Sequence, residues 1–150
     1  MDLEFGDIEV RRGKVMNCNC DEHIITDDMI EKVENILKVK FPEDFLSVIK
    51  KYDGGYPTPN KITFNENTEI VNNLVSFIED DVSFILDIFY ETEYLKETKL
   101  IPIAEDPFGN LFCYDFNDGR NKIVFWNHED FNDKKFICNN FTEFMQMLHD

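Results

Sequence analysis

The chain has 150 residues, and 15 Lys and Arg against 31 Asp and Glu give it a formal charge of −16. Apolar residues make up 43% of it and 15 residues are Phe, which excludes a disordered acidic tail, a class too poor in hydrophobic residues to fold. The same charge excludes a nucleic-acid binder, which needs clustered Lys and Arg to displace counterions, and predicts attraction to a basic partner.

A chain of this length predicts one domain over residues 1–150, burying roughly 70% of its unfolded surface. No apolar run approaches the roughly 18 residues of a membrane span. Met1-Asp2-Leu3-Glu4-Phe5 starts acidic and lacks the apolar region of a secretory signal, so the expected compartment is the cytoplasm. Cys18, Cys20, Cys113 and Cys138 are too scattered for a disulfide framework and are expected to stay reduced. Cys113 and Cys138, in aromatic or β-branched surroundings, read as small buried hydrophobes.

Residues 1–25 are the least regular; Ile8 to Met16 fits a short hairpin or an irregular arm. Thr26 is a good N-cap, Asp27 and Asp28 suit the positive end of a helix dipole, and Met29, Ile30, Val33, Ile36 and Leu37 form one apolar helical stripe. Pro42 breaks that helix and suits the first turn of a second, whose stripe is Phe45, Leu46, Val48, Ile49 and Tyr52. Lys50 and Lys51 favour its C-terminus, and Asp53-Gly54-Gly55 stops it with a glycine able to take a left-handed cap. Ile62-Thr63-Phe64 is a strand candidate, and Glu69 to Ile78 fits strand or helix. Val82, Ile85, Leu86 and Phe89 predict a middle helix from Asp81 to about Lys96, with an acidic outer face at Asp87 and Glu91 and Glu97 just beyond.

From residue 100 the period changes to two. Leu100 to Ile103 reads as a strand, with Pro102 pointing to an edge or an end. Leu111 to Phe116 and Lys122 to Trp126 read as a hairpin around Asn117-Asp118-Gly119-Arg120, and Lys135 to Cys138 as a last strand. Asn140 followed by Glu143 resembles a capping box, and Phe141, Phe144, Met145 and Leu148 form the apolar face of a C-terminal helix. The fold class is therefore α+β: a mostly antiparallel meander with two N-terminal helices, a middle helix and a C-terminal helix packed on it.

Three constellations invite a chemical reading. Cys18-Asn19-Cys20-Asp21-Glu22-His23 holds zinc-type ligands, but C-x-C is not the usual zinc spacing and no second ligand pair is visible. Asp115 to Gly119 opens like a calcium loop, yet its glycine falls at position 5 rather than 6, and Trp126 stands where the bidentate Glu belongs. Cys113 with His128 offers a thiol and a base, but no cation or helix N-terminus is near in sequence to lower the thiol pKa. No metal site, cofactor or catalytic residue follows from these patterns.

Three groups of residues in fixed order carry a resemblance. The first runs from Ile30-Glu31 through Val33, Leu37 and Phe41-Pro42 to Asp44-Phe45 and Tyr52-Asp53-Gly54-Gly55. The second is Leu100-Ile101-Pro102-Ile103-Ala104 with Gly109-Asn110-Leu111-Phe112-Cys113-Tyr114-Asp115, and the third is Ile123-Val124-Phe125-Trp126-x-His128-Glu129 with Phe141-x-x-Phe144. Together, over roughly residues 26–148, they resemble the SUKH superfamily, which includes regulators of yeast cell-wall synthesis and many bacterial immunity proteins. The resemblance implies a non-catalytic protein that neutralises a cognate toxin, commonly a nuclease; the other role it implies is a regulatory or scaffold module. Residues 56–99, where no match is evident, are where partner choice is expected to vary.

The expected partner is thus a basic protein toxin, with no nucleic acid and no membrane. Charge beside the hairpin loops singles out Asp106, Asp115, Asp118, Glu129 and Asp130 as candidate partner-binding residues.

Overall fold

The computed structural model describes residues 15–17, 24–130 and 134–150. The first described strand, β1 (Val15–Asn17), pairs antiparallel with β2 (Tyr56–Thr58). Ile8 to Lys14, and the Cys18 to His23 cluster, lie outside the described residues.

Helix α1 (Asp27–Leu37) starts as its sequence dictates: the Thr26 hydroxyl accepts the Met29 N–H at 3.2 Å. It ends on Lys38 in the left-handed conformation. Glu34, on its buried side, accepts the Phe41 N–H at 2.7 Å and so fixes the turn into the next helix. That helix, α2 (Glu43–Tyr52), has Pro42 as its N-cap, one position before the first turn expected for it. Gly54 closes it at φ +68°, the left-handed geometry only glycine adopts without strain.

The ambiguous stretch after residue 60 resolves into strands. β3 (Lys61–Phe64) and β4 (Asn67–Ile70) form a hairpin, and β5 (Asn73–Leu74) joins the edge of the main sheet. The single middle helix is corrected to two: α3 (Ile85–Glu91) and α4 (Glu93–Thr98). Helix cannot start at Asp81 because this segment pairs with Ser76, whose N–H donates to Ser83 O and whose carbonyl accepts the Ile85 N–H. Val82, expected on the apolar face, consequently points to solvent at 95% exposure. Thr92 divides the two helices in an extended conformation, its hydroxyl donating back to the Ile88 carbonyl at 2.8 Å.

The remaining strands are β6 (Leu100–Glu105), β7 (Leu111–Asp115), β8 (Lys122–Trp126) and β9 (Lys134–Cys138), followed by helix α5 (Phe141–Gln146). They form an antiparallel sheet in the order β5-β6-β7-β8-β9. Pro102 lies on an interior strand, at a register shift between Pro102 and Ala104 and beyond the two residues, Ala104 and Glu105, that pair with β5. Asn140 caps α5 by accepting the Glu143 N–H at 2.8 Å, and the Glu143 carboxylate accepts the Asn139 N–H.

The expected alternation of buried and exposed residues is absent from β7, which is buried at all five positions. Helices cover both faces of the sheet. On the Phe112 and Tyr114 face, α2 and α5 interlock: Phe45 meets Phe141 and Tyr114 edge-on at 5.1 and 5.6 Å, and Phe144 meets Phe112 at 5.5 Å. On the opposite face, Tyr94 of α4 stacks on Trp126 of β8. Each fully buried aromatic ring contributes roughly 1.5–3 kcal/mol, so this interlock dominates the stability of the sheet.

Candidate functional site

The antiparallel register gives β7 and β8 two shared ends. Leu111 pairs with Trp126 at one end, and Asp115 with Lys122 at the other. The two ends are built from similar turns and differ in charge.

At the Trp126 end, the turn between β6 and β7 is organised by Asp106. The residue is only 6% exposed. Its carboxylate accepts the Phe108 N–H at 2.8 Å, the Asn110 N–H at 2.7 Å and the Asn110 side-chain amide at 2.7 Å. No lysine or arginine pairs with it among the described residues. A carboxylate only accepts, so it orients the Asn110 amide with Nδ2 towards Asp106. Asn110 Oδ1 then receives the His128 backbone N–H at 3.0 Å and Nδ1 of the same residue at 2.7 Å. In the neutral imidazole this places the proton on Nδ1 and leaves Nε2 as an acceptor. Gly109, at φ +92°, lies against the His128 ring, where a Cβ would come within 3.4 Å of Cε1.

Beside this relay is a groove of about 550 Å³. Its wall is the stack of Tyr94 on Trp126, with ring centroids 5.6 Å apart and planes 10° from parallel. His128 and Gly109 close one side. Glu91, Glu93 and Glu97, from the α3–α4 junction and one face of α4, form the rim. Glu93 is paired with Lys96 at 2.8 Å, whereas Glu91 and Glu97 have no ion-pair partner among the described residues. Trp126 is 4% exposed, and its indole N–H has no hydrogen-bond acceptor among the described residues.

At the Lys122 end, Asp115 is also buried, but cations hold it. Lys134 donates to Oδ2 at 3.0 Å, Lys122 lies 4.0 Å from the same oxygen, and Asn117 donates its backbone and side-chain N–H groups to Oδ1. Burial alone would raise the Asp115 pKa; the hydrogen bonds from Lys134 and Asn117 outweigh it and hold the carboxyl below its ordinary range. Asp118 in the following turn is exposed and bonded to Lys122 at 2.8 Å, which likewise lowers its pKa. A second groove lies at this end, lined with apolar side chains and with Lys38, Lys96 and Lys99. The acidic excess of the sequence is therefore unevenly placed.

The five candidate acids do not form one patch. Asp106 and Asp115 are buried and serve the turns that contain them. Asp118 is exposed at the Lys122 end, and Glu129 and Asp130 are exposed just beyond Trp126, at the other end. Tyr94, Trp126 and the Glu91–Glu97 rim are not among the candidate partner-binding residues of the sequence, although Glu91 and Glu97 read there as the acidic side of a helix. The acid density of Glu91-Thr92-Glu93-Tyr94 was a visible signal, but its adjacency to Trp126 is a product of tertiary packing.

The two described thiols, Cys113 and Cys138, are unsuited to nucleophilic work. Cys113 is fully buried, and burial, with the Asp115 charge, pushes its pKa far above the ordinary thiol range. Burial likewise pushes Cys138 up to about 12. His128, the base once considered for Cys113, is engaged with Asn110. The calcium-like Asp115 to Gly119 segment is a hairpin turn, with Gly119 at φ +79° and its N–H bonded to the Phe116 carbonyl. Among the described residues, no group of three or more His, Cys, Asp or Glu is placed to hold a metal, and no helix is long and apolar enough to cross a membrane.

Comparison with known proteins agrees with this architecture. The SPbeta prophage-derived uncharacterized protein YokK of Bacillus subtilis (strain 168) is 28% identical to this chain, over 85% of this chain and 76% of its own length. A family model described as SMI1-KNR4 cell-wall (SUKH_6) matches residues 27–145, from the start of α1 to α5 and across all of the geometry above. The chain belongs to that SUKH family.

Proposed function

We propose that this is a non-catalytic binding protein of the immunity type, which neutralises a basic protein toxin, in the first instance a nuclease, by covering it with the acidic end of the meander. The observation that carries the reading is the asymmetry between the two ends. At the Trp126 end a buried aspartate is satisfied by neutral N–H donors, and Glu91 and Glu97 have no paired cation among the described residues. Charge there is left for a partner. A surface that grips nucleic acid is basic, and an acidic face complements it and steers association, up to about 10⁸–10⁹ M⁻¹s⁻¹ at low salt. The relative encoded by a prophage supports a role on mobile genetic elements.

Co-expression with the proteins encoded beside its gene tests the proposal. Growth is restored when one of them is a toxin and this protein is present, and the purified pair forms a complex. The association rate of that complex falls at least about tenfold between low and physiological salt, because exposed charges are screened over roughly 8–10 Å. Absence of protection against every neighbouring product rejects the role.

A further inference from the structure

We infer that the groove between α4 and the Trp126 end of the sheet is a receptor for one arginine side chain of a protein partner. Its biological meaning rests on the reading of the protein as a binder of a basic protein; its chemistry does not.

Three independent features converge in the groove. The first is an aromatic wall, in which the half-buried Tyr94 ring, backed by the buried Trp126, offers π surface to a flat cation. The second is the rim of Glu91 and Glu97, two carboxylates without a cation among the described residues. The third is His128, whose Nδ1–H is committed to Asn110 Oδ1, so that Nε2 is an acceptor in the neutral ring. All three recognise a donor-rich, planar, positive group. A guanidinium has five N–H donors in one plane and stacks on aromatic rings, whereas an ammonium is a strongly hydrated point charge. The volume of about 550 Å³ exceeds what one side chain fills and leaves room for the backbone on either side of it.

Trp126 is the single tryptophan of the sequence, so its fluorescence reports the groove without a label. The probe is a blocked pentapeptide of glycines with one central arginine, titrated into the intact protein beside versions carrying lysine or citrulline. A saturable change with arginine is expected, at least about tenfold weaker with citrulline and measurably weaker with lysine. Glu91→Gln with Glu97→Gln, both on the surface, weakens arginine binding at least about fivefold, and Tyr94→Leu does the same by removing the wall. No change with arginine, or an equal response to citrulline or lysine, overturns the inference. The peptide titration needs no toxin. If it succeeds while no neighbouring product is neutralised, the receptor stands and the immunity role fails. If protection is found and the E91Q/E97Q variant protects fully, the role stands and the receptor assignment fails.

Discussion

The two ends of the meander each bury an aspartate, and they do so in opposite ways. Among the described residues Asp106 is held by three N–H donors and no cation, while Asp115 is held by two lysines and Asn117. Both solutions satisfy the carboxylate, but only the second cancels its charge. The acids around Asp106 therefore add to an uncompensated field, and those around Asp115 do not. A net charge of −16 describes neither end.

Removing Asp106 is the most damaging way to probe this difference. Asp106→Ala leaves three N–H groups of the turn without their acceptor and releases Asn110 from its fixed orientation. We expect a loss of about 3 kcal/mol in urea unfolding, at the upper end for unsatisfied buried groups. Asp115→Ala should cost less, about 2 kcal/mol, because Lys122 and Lys134 are partly exposed and can be rehydrated once the carboxylate is gone. The pH dependence distinguishes the pair further. The folded pKa of Asp115 lies below its ordinary 3.8, so its contribution is complete above about pH 5 and is lost as the pH falls through 3.8 towards the folded value. Stability measured over this range should lose part of its acid limb in Asp115→Asn.

Gly109→Ala should cost about 1 kcal/mol, since the residue sits at φ +92°, a conformation strained for any L side chain. A thermal melt checks it, and an unchanged midpoint would mean that the turn is less constrained than its geometry implies. Glu91→Gln with Glu97→Gln should change stability least, within about 0.5 kcal/mol, because both side chains are exposed and unpaired with any cation of the described fold.

Much of the fold was legible in the sequence for local reasons. Thr26, Pro42, Gly54 and Asn140 act through their immediate neighbours, and each marks a helix boundary to within two residues. The meander was equally plain, because turn residues separate its aromatic runs. The late start of α3 at Ile85 was not, since it follows from Ser83 and Ile85 bonding to Ser76, a tertiary contact that no helical period reveals. The site was least legible. Counting charge near hairpins could not show that the carboxylates of Asp106 and Asp115 turn inward to their own loops. A signal for Asp106 did exist: Asp followed by Pro107-Phe108-Gly109-Asn110 is the kind of segment in which an aspartate side chain bonds the backbone two residues on. Tyr94 and Trp126 meet only because α4 lies across the sheet.

The central claim is that one end of the molecule, and not its overall acidity, engages the partner. It is tested most directly by stopped-flow association with whichever neighbouring product the co-expression test identifies as a partner, comparing Glu91→Gln/Glu93→Gln/Glu97→Gln with Asp118→Asn at the opposite end. The account predicts that the triple variant associates at least about tenfold more slowly at low salt while Asp118→Asn matches the unmodified protein within about twofold. Equal rates for all three proteins, or a slower Asp118→Asn, would contradict it.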